Sequence, residues 1–183
     1  MIVILPVLVA CGMVGGPVSG VVLDAETKQP IEGAYVVAKW SGSSSVSIAE
    51  SQTVCIYIDM ATTDEKGRFR IPMWLFEKPG VSGQWRSITV YKPGYLPAKQ
   101  ADDGLYMNAS KESLQERVEY MKGVLRGSSC RGNDAREKHL LQLATALYDE
   151  SVMLAGGKYN PEIGWPFLYR KERLENEPGA ISQ

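Results

Sequence analysis

The sequence predicts a mainly β protein with helices, in which a β-sandwich is followed by two C-terminal α-helices. From residue 17 to about residue 98, short runs of β-branched and aromatic residues alternate with turn residues. That pattern is typical of sandwiches built from short strands. From about residue 108 the apolar residues recur every three or four positions, which is typical of amphipathic helices.

The first predicted strands are "VSGVVLDA" and "IEGAYVVAKW", joined by the turn "ETKQP". The segment 41–52 is small and polar, so we expect an exposed loop there. The alternation in "TVCIYIDMATT" then predicts that Ile56 and Ile58 lie on one face of a strand. Cys55 and Tyr57 are expected on the opposite face, because successive side chains point to opposite sides of a sheet.

The stretch "ATTDEKGRFRIP", residues 61–72, is either an acidic cation loop or a tight turn. The Asp64 carboxylate can accept local backbone N–H bonds, and Gly67 can supply the positive φ that ends a turn. A calcium loop needs more oxygen ligands at alternating positions, whereas Arg68 and Arg70 follow here. The prediction is therefore a hairpin.

Two helices are predicted in "SKESLQERVEYMKGVLRG" and "NDAREKHLLQLATALYDESVMLAGG". Ser113 and Glu116 form a capping box for the first. Asp134 and Glu137 suit the start of the second, and Gly156-Gly157 suits its end. Both helices need a partner for their apolar stripes, and we expect them to pack on the sandwich or on each other.

Bulk composition excludes several function classes. The net charge is −1 and no Lys/Arg-rich run is present, so we expect no nucleic-acid partner. The chain has one histidine, His139, whereas zinc sites and Ser/His or Cys/His catalysis usually depend on imidazole groups. We expect a surface or partly buried helical histidine there, and we predict no metal and no cofactor.

The N-terminal segment "MIVILPVLVACGMVGG" holds a short apolar run that ends in small residues, as a secretory signal does. Leu8-Val9-Ala10-Cys11 resembles the bacterial lipobox, in which the cysteine is lipidated and becomes the new N-terminus. No Lys or Arg precedes the run, which departs from that pattern. The alternative is a short buried strand with an incidental cysteine.

Lipidation of Cys11 would leave Cys55 and Cys130. In an exported protein an even number of remaining cysteines indicates a disulfide, which would close a long loop between the two halves of the chain. Two buried free thiols are the alternative, because spacing alone does not fix connectivity.

The opening "VSGVVLDAETKQPIEGAYVVAKW" resembles carboxypeptidase regulatory-like domains, which are transthyretin-like (Ig-like) β-sandwiches. The resemblance continues in a second motif with Thr63, Gly67 and Phe69, and in a third, "VYKPGYLP", with Gly94 and Tyr95. It covers residues 17 to 98, less than half of the chain. It implies a structural or binding module, because in that family the domain accompanies peptidases, transporters or surface proteins. The zinc-ligand motif of the peptidase domain is absent from this sequence.

The same resemblance raises enzyme alternatives on related sandwiches, but one histidine does not match the several of hydroxyisourate hydrolases or the two of intradiol dioxygenases. Paired catalytic carboxylates are a weak hypothesis, because turn and strand-surface acids are commoner. The serine-rich run 41–47 has no evident general base to activate a serine nucleophile. The four candidate carboxylates are Asp24, Glu26, Asp59 and Asp64.

A binding module competes with a purely structural role. Aromatic side chains at strand ends or in loops could stack on a glycan or a peptide, although filling the core is the commoner role. An exposed edge strand could also accept a partner's strand. The candidate binding aromatics are Trp40, Tyr57, Trp74 and Trp85.

The resulting domain prediction is a signal peptide in residues 1–10, a tether in 11–16, the sandwich in 17–100, a helical extension in 108–170 and a frayed tail in 171–183. The predicted function is non-enzymatic: an outer-membrane, lipid-anchored envelope protein, facing the periplasm, that acts as a structural or protein-interaction module. Carbohydrate or peptide binding through loop aromatics is the first alternative. An unrecognised hydrolase is the second.

Overall fold

The structure is a computed structural model that describes residues 13–47, 50–76, 81–101, 104–130 and 137–176. The strands are β1 (Met13–Gly15), β2 (Val18–Asp24), β3 (Tyr35–Ser47), β4 (Glu50–Thr62), β5 (Arg68–Ile71), β6 (Trp74–Phe76), β7 (Val81–Tyr91), β8 (Tyr95–Ala101) and β9 (Gly104–Ala109). The α-helices are α1 (Leu114–Gly127), α2 (Leu141–Leu154) and α3 (Pro161–Asn176), with a 3-10 turn at Lys138–Leu140 before α2. The predicted fold class, mainly β followed by helices, is confirmed.

Two larger sheets face each other across the main core. One has the strand order β5-β2-β9-β8 and the other β4-β3-β7, while β1 pairs with β6 in a separate two-stranded sheet. All pairs are antiparallel except β2 with β9. The alternating β-branched residues predicted a β-sandwich, because every second side chain points inward. The inter-sheet core includes Val22, Val36, Ala38, Ile71 and Met107.

The helices cover the outer face of the three-stranded sheet and form a second core with it. Val37 and Ile58 from the sheet pack against helical residues such as Met121, Leu147 and Phe167. The molecule is therefore layered as sheet, sheet and helices. The helices bury their apolar stripes on the sandwich and on each other, as expected.

A β-bulge interrupts the predicted alternation in β4. Trp40 of β3 pairs with Tyr57 and the next residue pairs with Cys55, so Ile56 is the extra residue. Ile56 packs in the inter-sheet core while Ile58 packs against the helices, so the prediction that they share a face is wrong. The same shift places Tyr57 in the inter-sheet core and Cys55 against the helices.

The turn after β4 is confirmed, but the predicted hairpin is not. Asp64 Oδ1 accepts the N–H groups of Lys66 and Arg68 at 2.9 and 2.8 Å, and Gly67 has φ +68°. However, β4 pairs with β3 whereas β5 pairs with β2, so the turn carries the chain from one sheet to the other. A local turn motif does not specify which sheet receives the next strand.

The expected exposed loop at residues 41–52 is also wrong. Strands β3 and β4 extend through it as a long hairpin, with Ser45 opposite Ser51 and Ser47 opposite Glu50. Residues 48–49 lie outside the described residues. Backbone pairing with neighbours outweighs the weak strand preference of serine here.

A third helix, α3, follows the two predicted ones. Pro161 is its first residue, a position where the missing N–H of proline costs nothing. Gly164 and Pro166 inside the helix weaken the helical pattern of the sequence. Phe167 and Leu174 anchor it in the helical core, which offsets those two unfavourable residues. The helix runs to Asn176 and so includes part of the segment expected to fray.

The helix ends agree in part with those predicted from the sequence. The capping box of Ser113 and Glu116 is present on α1, and α2 ends just before Gly156-Gly157. Asp134 lies outside the described residues. Glu137 does not cap α2. It is buried instead, and forms ion pairs with Arg170 at 2.7 Å and with Arg173 at 3.2 Å.

Candidate functional site

Three of the four candidate aromatics form one cluster inside the sandwich. The ring centroids of Trp40 and Trp74 are 5.5 Å apart, and Tyr57 lies 4.9 Å from Trp74 and 5.8 Å from Trp40. Trp40 and Trp74 are buried. Gly15 of β1 packs on the indole of Trp74, where a Cβ would clash. The cluster joins the small β1–β6 sheet to the main core and leaves little aromatic surface for a ligand.

Trp85 is separate from that cluster. It lies on β7 opposite Ser41, and 44% of its surface is exposed. The structure therefore does not bring the four candidate aromatics into one site.

The candidate carboxylates serve local structure and do not converge. Asp24 accepts the N–H groups of Glu26 and Thr27, and these hydrogen bonds lower its pKa. Asp59 lies 3.4 Å from His139 Nε2 on the helix side of the sandwich. His139 occupies the 3-10 turn before α2 and is partly exposed.

No metal cluster is found in the described part of the chain: no three His, Cys, Asp or Glu residues there are placed to hold an ion. Likewise, none of the helices described is long and apolar enough to cross a membrane.

Cys55 and Cys130 form a disulfide, with their Cα atoms 5.4 Å apart. The bond joins β4 to the segment that leaves α1. The predicted lipidation residue Cys11 lies outside the described residues, as does the rest of the lipobox motif.

One apolar cavity is a groove along one side of the sandwich, which we call the edge groove. It has a volume of about 470 Å³. Strands β7, β8 and β9 form two of its sides and α1 forms the third. Its lining includes Ile88, Thr89, Pro97, Leu105, Tyr120 and Gly123. A smaller cavity of about 220 Å³ shares Ile88 and Leu105 with it and extends it along the sandwich.

Both strands beside the groove are sheet edges among the described residues. Strand β7 pairs only with β3, and β8 pairs only with β9. Residues 82–87 of β7 are exposed. Unpaired strand edges present rows of N–H and C=O groups, which can pair with another chain. Pro97 removes one donor from β8, which makes β7 the better edge for pairing.

Gly123 gives the groove part of its width. It lies in the interior of α1, where glycine costs about 1 kcal/mol relative to alanine. A Cβ placed on Gly123 would meet no atom within 4 Å, so packing within the chain does not require glycine there. The glycine instead leaves open space in the groove wall.

A buried ion pair holds α1 beside the groove. The Arg117 guanidinium donates to Glu150 of α2 at 2.8 and 2.9 Å, to the Lys92 carbonyl at 3.2 Å, and to the Tyr95 carbonyl. Glu150 also accepts the Tyr91 hydroxyl, and that hydrogen bond and burial together raise the pKa of Tyr91. The helix is thereby fixed to the turn between β7 and β8.

A second contact fixes α1 to β7 itself. The Tyr120 hydroxyl donates to the Val90 carbonyl at 2.8 Å, and burial raises the pKa of Tyr120. This bond covers the end of the β7 edge and leaves the preceding residues of the strand open. The groove was not predicted from the sequence, although Gly123 within an amphipathic helix and Pro97 within a strand were signals for it.

No known protein family, no curated protein and no solved structure matches this chain.

Proposed function

We propose that this protein is a non-enzymatic interaction module of the cell envelope that binds an extended peptide segment of a partner protein in the edge groove. The observation that carries the proposal is an apolar groove beside two strand edges that have no partner strand among the described residues, widened by a helix-interior glycine. An added strand would gain main-chain hydrogen bonds from an edge and side-chain contacts from the groove.

Two features support the envelope location. The lipobox-like Leu8-Val9-Ala10-Cys11 would supply an outer-membrane lipid anchor facing the periplasm, and a disulfide such as Cys55–Cys130 persists in oxidising compartments. The resemblance of residues 17–98 to carboxypeptidase regulatory-like domains supports a binding or structural role rather than catalysis.

Glycan or peptide binding through the loop aromatics has less support, because Trp40 and Trp74 are buried. A hydrolase is the weakest candidate, since the candidate carboxylates bind their own turns or lie apart.

The proposal is tested with the purified protein and a displayed library of ten-residue peptides. Selected peptides are measured by calorimetry against wild type, Gly123→Trp and Gly123→Ala. Tryptophan would fill the groove, whereas alanine adds one methyl group in open space and favours the helix. We expect Gly123→Trp to abolish binding and Gly123→Ala to retain it. Hydrogen exchange of the complex should protect β7 amides.

Failure to enrich any peptide, or equal binding to both variants, would refute the peptide-binding role. The anchor is tested separately by the intact mass of the protein from native membranes, before and after reduction. We expect a chain beginning at Cys11 with added acyl groups, and a gain of two hydrogens on reduction of the single disulfide. An unmodified full-length mass would refute the anchor.

A further inference from the structure

A second cavity, which we call the basic pocket, lies on the helix side of the three-stranded sheet. Its volume is about 350 Å³, which lies near the lower end of the range for small-molecule sites. Strands β3 and β4 form its floor, and the end of α1 forms its rim. The basic pocket is lined by Lys39, Ser41, Thr53, Val54, Cys55, Arg126 and Ser129, none of which lines the edge groove.

The basic pocket contains two cationic side chains. Burial lowers the pKa of Lys39, and the nearby Glu137 partly opposes that shift. The Lys39 ammonium donates to the Ser129 carbonyl at 3.5 Å, at the outer limit for a hydrogen bond. An ammonium has three donors, so this contact leaves capacity for an anionic ligand. Arg126, in the last turn of α1, adds a permanent positive charge.

Two carboxylates act on these cations, Glu137 on Lys39 and Glu119 on Arg126. Glu137 forms ion pairs with Arg170 and Arg173, and it also accepts the backbone N–H of Cys130. Glu119 forms its ion pair with Lys122 at 2.7 Å. Both carboxylates therefore have other cationic partners, and the Lys39 and Arg126 side chains keep capacity for an anionic ligand. The hydroxyl groups of Ser41 and Thr53 add neutral donors to its lining.

We propose that the basic pocket binds the phosphate group of a small ligand. Phosphate accepts charge-assisted hydrogen bonds from ammonium and guanidinium groups and further bonds from hydroxyls. The disulfide helps to build the site, because Cys55 lines the pocket and Cys130 directly follows Ser129. The bond therefore holds the Ser129 carbonyl and the end of α1 against the strands.

Inorganic phosphate is the probe, titrated into the ¹⁵N-labelled protein at constant ionic strength, with acetate titrated separately. We expect saturating amide shifts at Ser41 and Ser129. Lys39→Met keeps the aliphatic stem and should weaken binding by about tenfold or more, as loss of a charged hydrogen bond does. Arg126→Gln, at an exposed position, should weaken binding without risk to the core.

The matched control is Lys111→Met, just before the same helix. Lys111 is exposed, lies 3.8 Å from Glu26 and does not line the basic pocket, so its loss should leave phosphate affinity unchanged. Linear, non-saturating shifts, equal effects of Lys39→Met and Lys111→Met, or tighter binding of acetate than of phosphate would each overturn the proposal.

Two further arms extend the test. Vesicles containing a phosphate-monoester lipid, if they compete with inorganic phosphate, identify a lipid headgroup as the ligand source. If they do not compete, the source is a soluble phosphate ester. Reduction of the disulfide should weaken phosphate binding while hydrogen exchange of β3 stays protected. Unchanged affinity after reduction would overturn the role given to the disulfide in the site.

Discussion

The buried Arg117–Glu150 pair makes a sharp prediction about stability. The two side chains are only 3% and 7% exposed. Replacing Glu150 by leucine removes the carboxylate that accepts two guanidinium bonds, the Gly94 N–H at 3.0 Å and the Tyr91 hydroxyl. The guanidinium is then left inside the protein with two backbone carbonyls as hydrogen-bond partners and no counter-charge from Glu150.

Breaking one partner of a buried pair costs about 3–5 kcal/mol, and we expect Glu150→Leu to lower the free energy of unfolding by that amount. Arg117→Met should cost a similar amount. The double variant leaves no uncompensated charge. Each buried group that loses its partner, such as the Gly94 N–H or the Tyr91 hydroxyl, costs about 1–3 kcal/mol. The double variant's loss in the free energy of unfolding should therefore be smaller than the sum of the losses of the two single variants.

Urea denaturation at pH 7 measures the free energy of unfolding of the wild type, the two single variants and the double variant. Lys171→Met is the control, because Lys171 forms a partly exposed pair with Glu175 and such pairs contribute at most about 1 kcal/mol. The reasoning is refuted if Glu150→Leu costs less than about 1 kcal/mol, or if the double variant loses the full sum of the single losses.

Three further predictions concern the disulfide, the turns and pH. Cys55→Ser should lower the free energy of unfolding by about 4 kcal/mol, because the bond to Cys130 closes a separation of 75 residues; a loss below about 1 kcal/mol in urea would contradict this. Gly67→Ala should cost about 2 kcal/mol or more, since φ is +68° and the new Cβ would lie 2.5 Å from a β2 carbonyl. Gly94→Ala has a similar φ of +75° but open space, so it should lower the free energy of unfolding in urea by less than Gly67→Ala does; equal losses would argue against the steric reasoning. Capping hydrogen bonds lower the pKa of Glu116 from 4.5, so its stabilising effect is complete above pH 4.5 and is lost as the pH falls through the lowered value. Glu116→Gln should therefore lose less stability than wild type between pH 5 and pH 2. The same dependence of unfolding free energy on pH in both proteins would contradict this prediction.

Prediction of the candidate sites from sequence was only partial. The sequence indicated aromatics and cysteines as site residues, and the disulfide pairing was a correct prediction. It did not identify the edge groove or the basic pocket, because each combines side chains from distant parts of the chain. Lys39 and Arg126, for example, meet only because β3 and α1 pack together.

What the sequence determined by itself was local. The turn at Asp64–Gly67, the capping box at Ser113 and the change from strand to helix periodicity all depend on neighbouring residues, whose interactions are encoded within a few positions. Tertiary structure decided which sheet each strand joined and where the bulge at Ile56 fell. Those outcomes depend on packing between segments far apart in the chain, and the bulge in turn directs Cys55 toward the helices and so shapes the basic pocket.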